Sequence, residues 1–334
     1  MSGRIEIENK INDEIIRKLE SLPKEVKQWN EVLIISRKTS ATRKVYIQII
    51  EDFFKSREIN DTAEIEMLDV INYLSQKQTI TIGGEKRVMS DSRMAQIWFA
   101  LNSFFEFLKN INVFSQNFMD AIPKNKIVSG NQIKKEKELL TEKDFNAILE
   151  AIDFPVRTQY LTDLVTSIAR DKCIIMLFMV TGMRKTALIE IDIDDIDMKE
   201  GTLRIIDKGR KEHIYYLQKK MLDVLDRWIK DREIVLYNIR RYTKALFVDK
   251  DGDRVTRSTI DNIVNKYTKE ALGKPLSPHK LRAGFCSIMY NKTHDIEFVR
   301  RAVGHSNIST TQRYIVTSKE EKRKASEIMD KILK

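Results

Sequence analysis

Cysteine is nearly absent. The 334 residues contain two, Cys173 and Cys286, too few and too far apart for a zinc site or a disulfide framework. A reduced intracellular compartment is the expectation, and a thiolate metal centre is not. Long apolar runs are missing as well: the longest, residues 173–180, is far too short to cross a bilayer and reads as a buried helix segment. The first thirty residues are charged throughout and lack the apolar core of a signal peptide, so a soluble, cytoplasmic protein is expected, with no membrane partner. No repeat or low-complexity tract interrupts the chain. Histidine is scarce too, with four in all: His213, His279, His294 and His305.

What is present is charge. Lys and Arg number 59 against 49 Asp and Glu, a formal net charge of +10. That excess favours a polyanionic partner without choosing among DNA, RNA and acidic lipid. A hydrophobic share of 42% argues against wholesale disorder, and the length allows two domains.

Residues 1–30 are helix-permissive but show no strong apolar stripe, and are set apart as an N-terminal extension. From about Ser40, Val45, Ile49, Ile50, Phe53 and Phe54 recur at helical spacing, as do Ile65, Leu68, Ile71 and Leu74. A break at Gly83-Gly84 precedes a longer helix whose broad apolar face carries Met94, Ile97, Trp98, Leu101, Phe104, Phe105 and Leu108. Residues 31–122 therefore read as an all-helical domain. Residues 123–138, with Lys124, Lys126, Lys134, Lys135 and Lys137 around Ser129-Gly130, read as a basic interdomain linker. After it, Thr141 and Asp144 have capping-box spacing and open a second domain over residues 139–318. Residues 193–197, 202–206 and 213–217 alternate in polarity between turns at Gly201 and Gly209, which predicts a small antiparallel sheet. The fold class expected is mainly α with that one sheet.

Candidate chemistry clusters late in the chain. Transfer of a phosphodiester without metal needs a nucleophile, cations for the nonbridging oxygens, and a group that protonates the departing 5'-oxygen. Arginine suits the second task because its planar fork donates two hydrogen bonds and stays protonated, and Arg184 and Arg282 are the candidates. Ser277 with Pro278 reads as the start of a helix carrying His279 and Arg282 on one face, at the end that attracts phosphate. Ile296, Val299 and Val303 face inward on a short helix that Gly304 ends, with His305 at the turn. Ser309 and Gln312 have capping-box spacing, which puts Tyr314 in the early turns of the next helix. A phenol of pKa near ~10 needs cations or a base beside it to attack at neutral pH. The alternative for each segment is a surface helix with incidental basic residues, and for Tyr314 ordinary packing.

Taken together, these segments resemble the tyrosine recombinases, the phage-type integrase family. Thr181-Gly182-Met183-Arg184 resembles the family's first arginine box, His279-Lys280-Leu281-Arg282 its H-x-x-R box, and Gly304-His305 with Tyr314 nine residues on its G-H and nucleophile pair. Asp207-Lys208-Gly209-Arg210-Lys211 resembles the lysine turn between two strands. The resemblance implies that Tyr314 attacks the scissile phosphate, Arg184 and Arg282 bind it, Lys208 protonates the leaving oxygen, and His279 and His305 assist. It implies a 3'-phosphotyrosine intermediate, neither cofactor nor metal, and integration or excision of a mobile element. It also implies a two-domain clamp on double-stranded DNA with paired recombination sites, a SAM-like core-binding domain beside a mixed α/β catalytic domain, and a homotetramer on DNA that is a monomer away from it. Residues 319–334 would form a C-terminal helix, with Ile328, Met329, Ile332 and Leu333 as its apolar anchors, docking on a neighbouring subunit or folding back on its own. Lys124, Lys126, Lys134, Lys135, Arg210, Lys211 and Lys280 are the expected DNA contacts. Two departures stand out: Ala187 where an acidic residue is common, and Ala283-Gly284 where His-Thr or His-Ser is usual.

Other readings compete. Residues 296–314 also fit a helix-turn-helix in a regulator that needs no tyrosine, and a type IB topoisomerase would share the chemistry without paired sites. Asp192, Asp194, Asp195 and Asp197 have the composition of a two-metal site, but the intervening Ile191, Ile193, Ile196 and Met198 read as a half-buried strand entry. Asp249-Lys250-Asp251-Gly252-Asp253 opens like a calcium loop, yet its glycine comes too early and its twelfth position is Ile260, so a hairpin turn is expected.

Overall fold

The computed structural model describes residues 3–127, 139–153, 161–207, 211–305 and 307–312. The chain divides into two compact units, residues 4–135 and residues 136–334 with the first three residues assigned to the latter. Lys134, Lys135, Lys208, Arg210, Tyr314 and the C-terminal segment 319–334 lie outside the described residues.

The first unit is built from α1 (Gly3–Glu20), α2 (Lys24–Ile35), α3 (Ser40–Arg57), α4 (Met67–Lys77), strands β1 (Thr79–Ile82) and β2 (Glu85–Val88), α5 (Asp91–Asn110) and the single turn α6 (Lys124–Ile127). Two of its helices, α3 and α5, start at hydroxyl caps: the Thr39 and Ser90 hydroxyls accept the N–H groups of Thr42 and Arg93. The α5 face expected from periodicity is the centre of the core, with Leu101, Phe104, Phe105 and Leu108 fully buried. Edge-on ring contacts surround it, Trp29 to Phe104 at 5.2 Å and Phe53 to Tyr73 at 5.3 Å.

Two features of this unit differ from the sequence reading. The first thirty residues are integral to it: Ile15, Leu19, Leu22, Val26 and Trp29 are buried in the same core. Spaced at i, i+4, i+7, i+11 and i+14, they are divided between two helices by the break at Ser21–Pro23, so neither helix alone carries a long stripe. The unit is also not all-helical. Gly83 and Gly84, with φ of +58° and +86°, make the double positive-φ bend of a type I′ turn, and β1 and β2 pair antiparallel from Thr79↔Val88 to Ile82↔Glu85.

The second unit contains α7 (Glu142–Asp153), α8 (Leu161–Thr181), α9 (Lys185–Glu190), strands β3 (Ile196–Asp197), β4 (Thr202–Asp207) and β5 (Lys211–Tyr216), then α10 (Lys219–Asn238), α11 (Arg257–Leu272), α12 (Pro278–Thr293), α13 (Ile296–Ala302) and α14 (Ile308–Gln312). The Thr141–Asp144 capping box is present, with the Thr141 N–H donating to the Asp144 carboxylate at 2.7 Å and the return bond at 3.3 Å. The sheet is antiparallel in the order β3-β4-β5, with β4 and β5 in register from Thr202↔Tyr216 to Asp207↔Lys211. Cys173, Ile174, Ile175, Leu177 and Phe178 of the apolar run are fully buried in α8. Ser309 falls inside α14, which starts at Ile308, so the expected capping box is displaced from the helix start. Among the described residues, no helix is long and apolar enough to cross a membrane.

Candidate active site

Two backbone turns converge on one arginine, Arg282. α8 ends at Thr181, whose hydroxyl donates to the Leu177 carbonyl at 2.5 Å and accepts the Met183 N–H at 3.2 Å. Gly182 turns the chain with φ of +59°. A Cβ there would lie 2.5 Å from Cδ1 of Phe285 and 3.1 Å from Cγ1 of Val303, so glycine is required both for the bend and for the close approach. Arg184 follows as the half-buried N-cap residue of α9, and α9 is fastened to α11 by Lys185 Nζ on both oxygens of Asp261 at 2.7 and 2.8 Å.

α12 opens as expected, with Ser277 at the N-cap and Pro278 in the first turn. His279 is exposed at that end and Lys280 half-buried, whereas Arg282 is buried, 3% exposed. The Arg282 guanidinium donates through Nη1 to the Gly182 carbonyl and through Nη2 to the Val303 carbonyl at 3.0 Å. One side chain therefore ties the turn before Arg184 to the turn before Gly304-His305. A buried charged donor paired with carbonyls is a strong tether, because breaking it would strand an unpaired charge. Burial raises the nearby Cys286 thiol to about 11, and the positive charge of Arg282 pulls it the other way.

Gly304 ends α13 with φ of +67°, and His305 behind it is buried, 3% exposed. Its Nδ1 lies 2.9 Å from the hydroxyl of the fully buried Thr311. Its N–H donates to the Arg300 carbonyl at 3.0 Å, and its own carbonyl accepts Nη1 of Arg300 at 2.5 Å. Arg184, Arg282 and His305 thus sit on segments bonded to one another, and His279 sits one helical turn before Arg282. Of the expected DNA contacts, Lys124 lies over the Phe99 ring at 4.5 Å, while Lys126 and Lys211 have described backbone only.

Residues 138–321 match the phage integrase family. The chain belongs to that family, the tyrosine recombinases. It is 27% identical over 289 residues to tyrosine recombinase XerC of Thermodesulfovibrio yellowstonii, covering 85% of this chain and 88% of that protein. Tyrosine recombinase XerD of Staphylococcus haemolyticus is 33% identical over 187 residues, 56% of this chain and 61% of that protein, so the alignment with XerD spans less than two thirds of its length. In fold the chain is similar to XerH site-specific recombinase bound to palindromic difH substrate, with a TM-score of 0.66 and 22% identity, covering 96% of this chain and 89% of that one. It is also similar to a lambda integrase dimer bound to a COC' core site, with a TM-score of 0.57 and 16% identity over 87% and 76%. This recombinase is therefore an enzyme of site-specific recombination.

The departures from the family pattern have a local cause at one position. A Cβ on Gly284 would stand 2.9 Å from Cβ of Leu140 and 2.9 Å from Cε1 of Phe145, so the start of the second unit packs where a larger residue would project. The acidic segment is not a metal site: Asp192 is buried against Arg254 at 2.5 Å, Asp194 pairs with Lys244 at 2.5 Å, and Asp195 caps the turn at Asp192. No cluster of potential metal ligands occurs among the described residues. Asp249 accepts the N–H groups of Asp251 and Asp253 at 3.0 Å each, beside the Val248↔Arg254 bridge, which is a hairpin turn. Arg300 and Thr311 are the site-shaping residues that the sequence motifs do not mark. Capping-box spacing marks Ser309 and Gln312 but not Thr311 between them.

Proposed function

We propose that this recombinase cleaves and rejoins double-stranded DNA through a 3'-phosphotyrosine on Tyr314. In this reading Arg184 and Arg282 hold the nonbridging oxygens of the scissile phosphate as charge builds on them. Tyr314 attacks phosphorus as its phenolic proton passes to a neighbouring histidine, His279 or His305, while the nearby cations stabilise the phenolate. The bond to the 5'-oxygen breaks, and Lys208 supplies that oxygen's proton. His279 and His305 hydrogen-bond the phosphate and shuttle protons. The phosphodiester energy is kept in the tyrosyl ester, and a 5'-hydroxyl from the second site then reverses the attack. The carrying observation is the bonding of Arg282 to the Gly182 and Val303 carbonyls, which gathers the segments of Arg184, Arg282 and His305 into one place.

Integration or excision of a mobile element is the role proposed, on paired sites bound by a homotetramer. Chromosome-dimer resolution is the second role the XerC likeness supports. Short inverted repeats around a spacer in the gene's flanking DNA would supply the substrate. Incubated with a nicked duplex of that sequence, the wild-type chain is expected to form a denaturant-resistant DNA adduct, and Tyr314→Phe to bind the same duplex without one. An adduct that survives the substitution would overturn the proposal. A regulator would lose nothing with Tyr314→Phe, and a topoisomerase would relax supercoils without exchanging two sites.

A further inference from the structure

We propose that Arg300, braced by Glu297, is the positioning residue for His305; this rests on the reading of His305 as part of the active site. The two residues are joined twice. The Arg300 carbonyl accepts the His305 N–H at 3.0 Å, and Nη1 of Arg300 donates to the His305 carbonyl at 2.5 Å. One residue thus holds both backbone groups of the histidine across a bend that Gly304 makes at positive φ.

The arginine is itself held. Its Nε and Nη2 donate to the two oxygens of Glu297, each at 2.7 Å, a fork-on-carboxylate pair that fixes the plane of the guanidinium. Glu297 lies in the first turn of α13, where its N–H donates to the capping carboxylate of Asp295 at 2.8 Å. Arg301 adds a third donor to Glu297 at 2.9 Å. The two guanidiniums, Arg300 foremost, draw the Glu297 carboxyl down to about 2, so the brace stays ionised into acid below the ordinary glutamate range.

Two anchors then determine where the imidazole points. Arg300 sets the backbone from which it projects, and Thr311 engages Nδ1 on the ring itself. A partly exposed Arg–Glu pair contributes little stability on its own. Its third bond, to the histidine's carbonyl, gives this pair a task that an ordinary helical ion pair lacks. Lysine in place of Arg300 could reach the carbonyl or the carboxylate but not grip both as a rigid fork.

The test compares Arg300→Ala, Arg300→Lys, His305→Ala and the Arg300→Ala/His305→Ala double variant in the full chain. Single-turnover adduct formation is measured at saturating DNA, alongside DNA affinity and the melting midpoint. Arg300→Ala is expected to slow adduct formation on the order of tenfold, with affinity and melting midpoint unchanged, because a misplaced catalytic group costs rate rather than binding. Arg300→Lys should recover part of that rate. In the His305→Ala background the same change should cost less than about twofold, since nothing remains to be positioned. A wild-type rate in Arg300→Ala, a full additional loss in the His305→Ala background, or a loss that tracks a lowered melting midpoint would each overturn the proposal. Should His305→Ala cleave like wild type, the active-site reading of His305 fails; should it be impaired while Arg300→Ala is not, only the positioning role fails.

Discussion

Gly182 is the residue where the smallest change is expected to do the most harm. It has φ of +59°, and any Cβ meets the Phe285 ring and Val303, the neighbours of the Arg282 tether. Gly182→Ala is expected to lower the unfolding free energy by about 1–3 kcal/mol, the usual range for a side chain forced into strained backbone, read from a urea transition. It should also slow adduct formation, because the same turn carries Arg184. The thiols behave oppositely. Burial raises Cys286 to about 11 and Cys173 further still, so neither should be alkylated at pH 8 until the chain unfolds. Labelling of native protein within minutes would contradict that burial. At this scale the candidate site was legible in the sequence wherever chemistry is written in adjacent letters, as in Thr-Gly-Met-Arg, His-Lys-Leu-Arg and Gly-His. The contacts of Arg300 and Thr311 with His305 were not, because they exist only once the turn at Gly304 folds the chain back on itself.

Elements follow the same division. The α5 face, the Thr141–Asp144 cap and the proline-led start of α12 rest on local patterns and stand where those patterns put them; the sheet forms as well, but its first strand is cut to Ile196–Asp197 by a 3-10 turn at Ile193–Asp195 and its third starts early, at Lys211. What escaped notice depended on partners: α1 and α2 bury short apolar sets that look weak until α3 and α5 receive them, and the Gly83-Gly84 turn closes a hairpin whose strands are mostly exposed. Ser90→Ala should remove the α5 cap and cost about 1 kcal/mol in the first unit. Gly284→Ser is expected to cost about 1–3 kcal/mol, as in other overpacked cores, because the start of α7 already occupies the space a side chain would need. If denaturation midpoints show Gly284→Ser to be neutral or stabilising, that packing explanation for the family departure is wrong.

For the molecule as a whole, the net charge of +10 is the property most directly tied to a polyanionic substrate. Binding to duplex DNA should weaken linearly on a log–log plot against salt, as released counterions are repaid. The slope should fall by about one for each phosphate-contacting lysine replaced. An affinity indifferent to salt would contradict an electrostatic footprint. None of these measurements reaches the chemistry as directly as identifying the covalently modified residue. Adduct formed on a nicked duplex can be digested with protease and nuclease and the remaining peptide sequenced by mass spectrometry. A 3'-linked nucleotide on the Tyr314 phenolic oxygen is the expected result; DNA cleaved with the nucleotide on another residue, or with no covalent protein product at all, would contradict it.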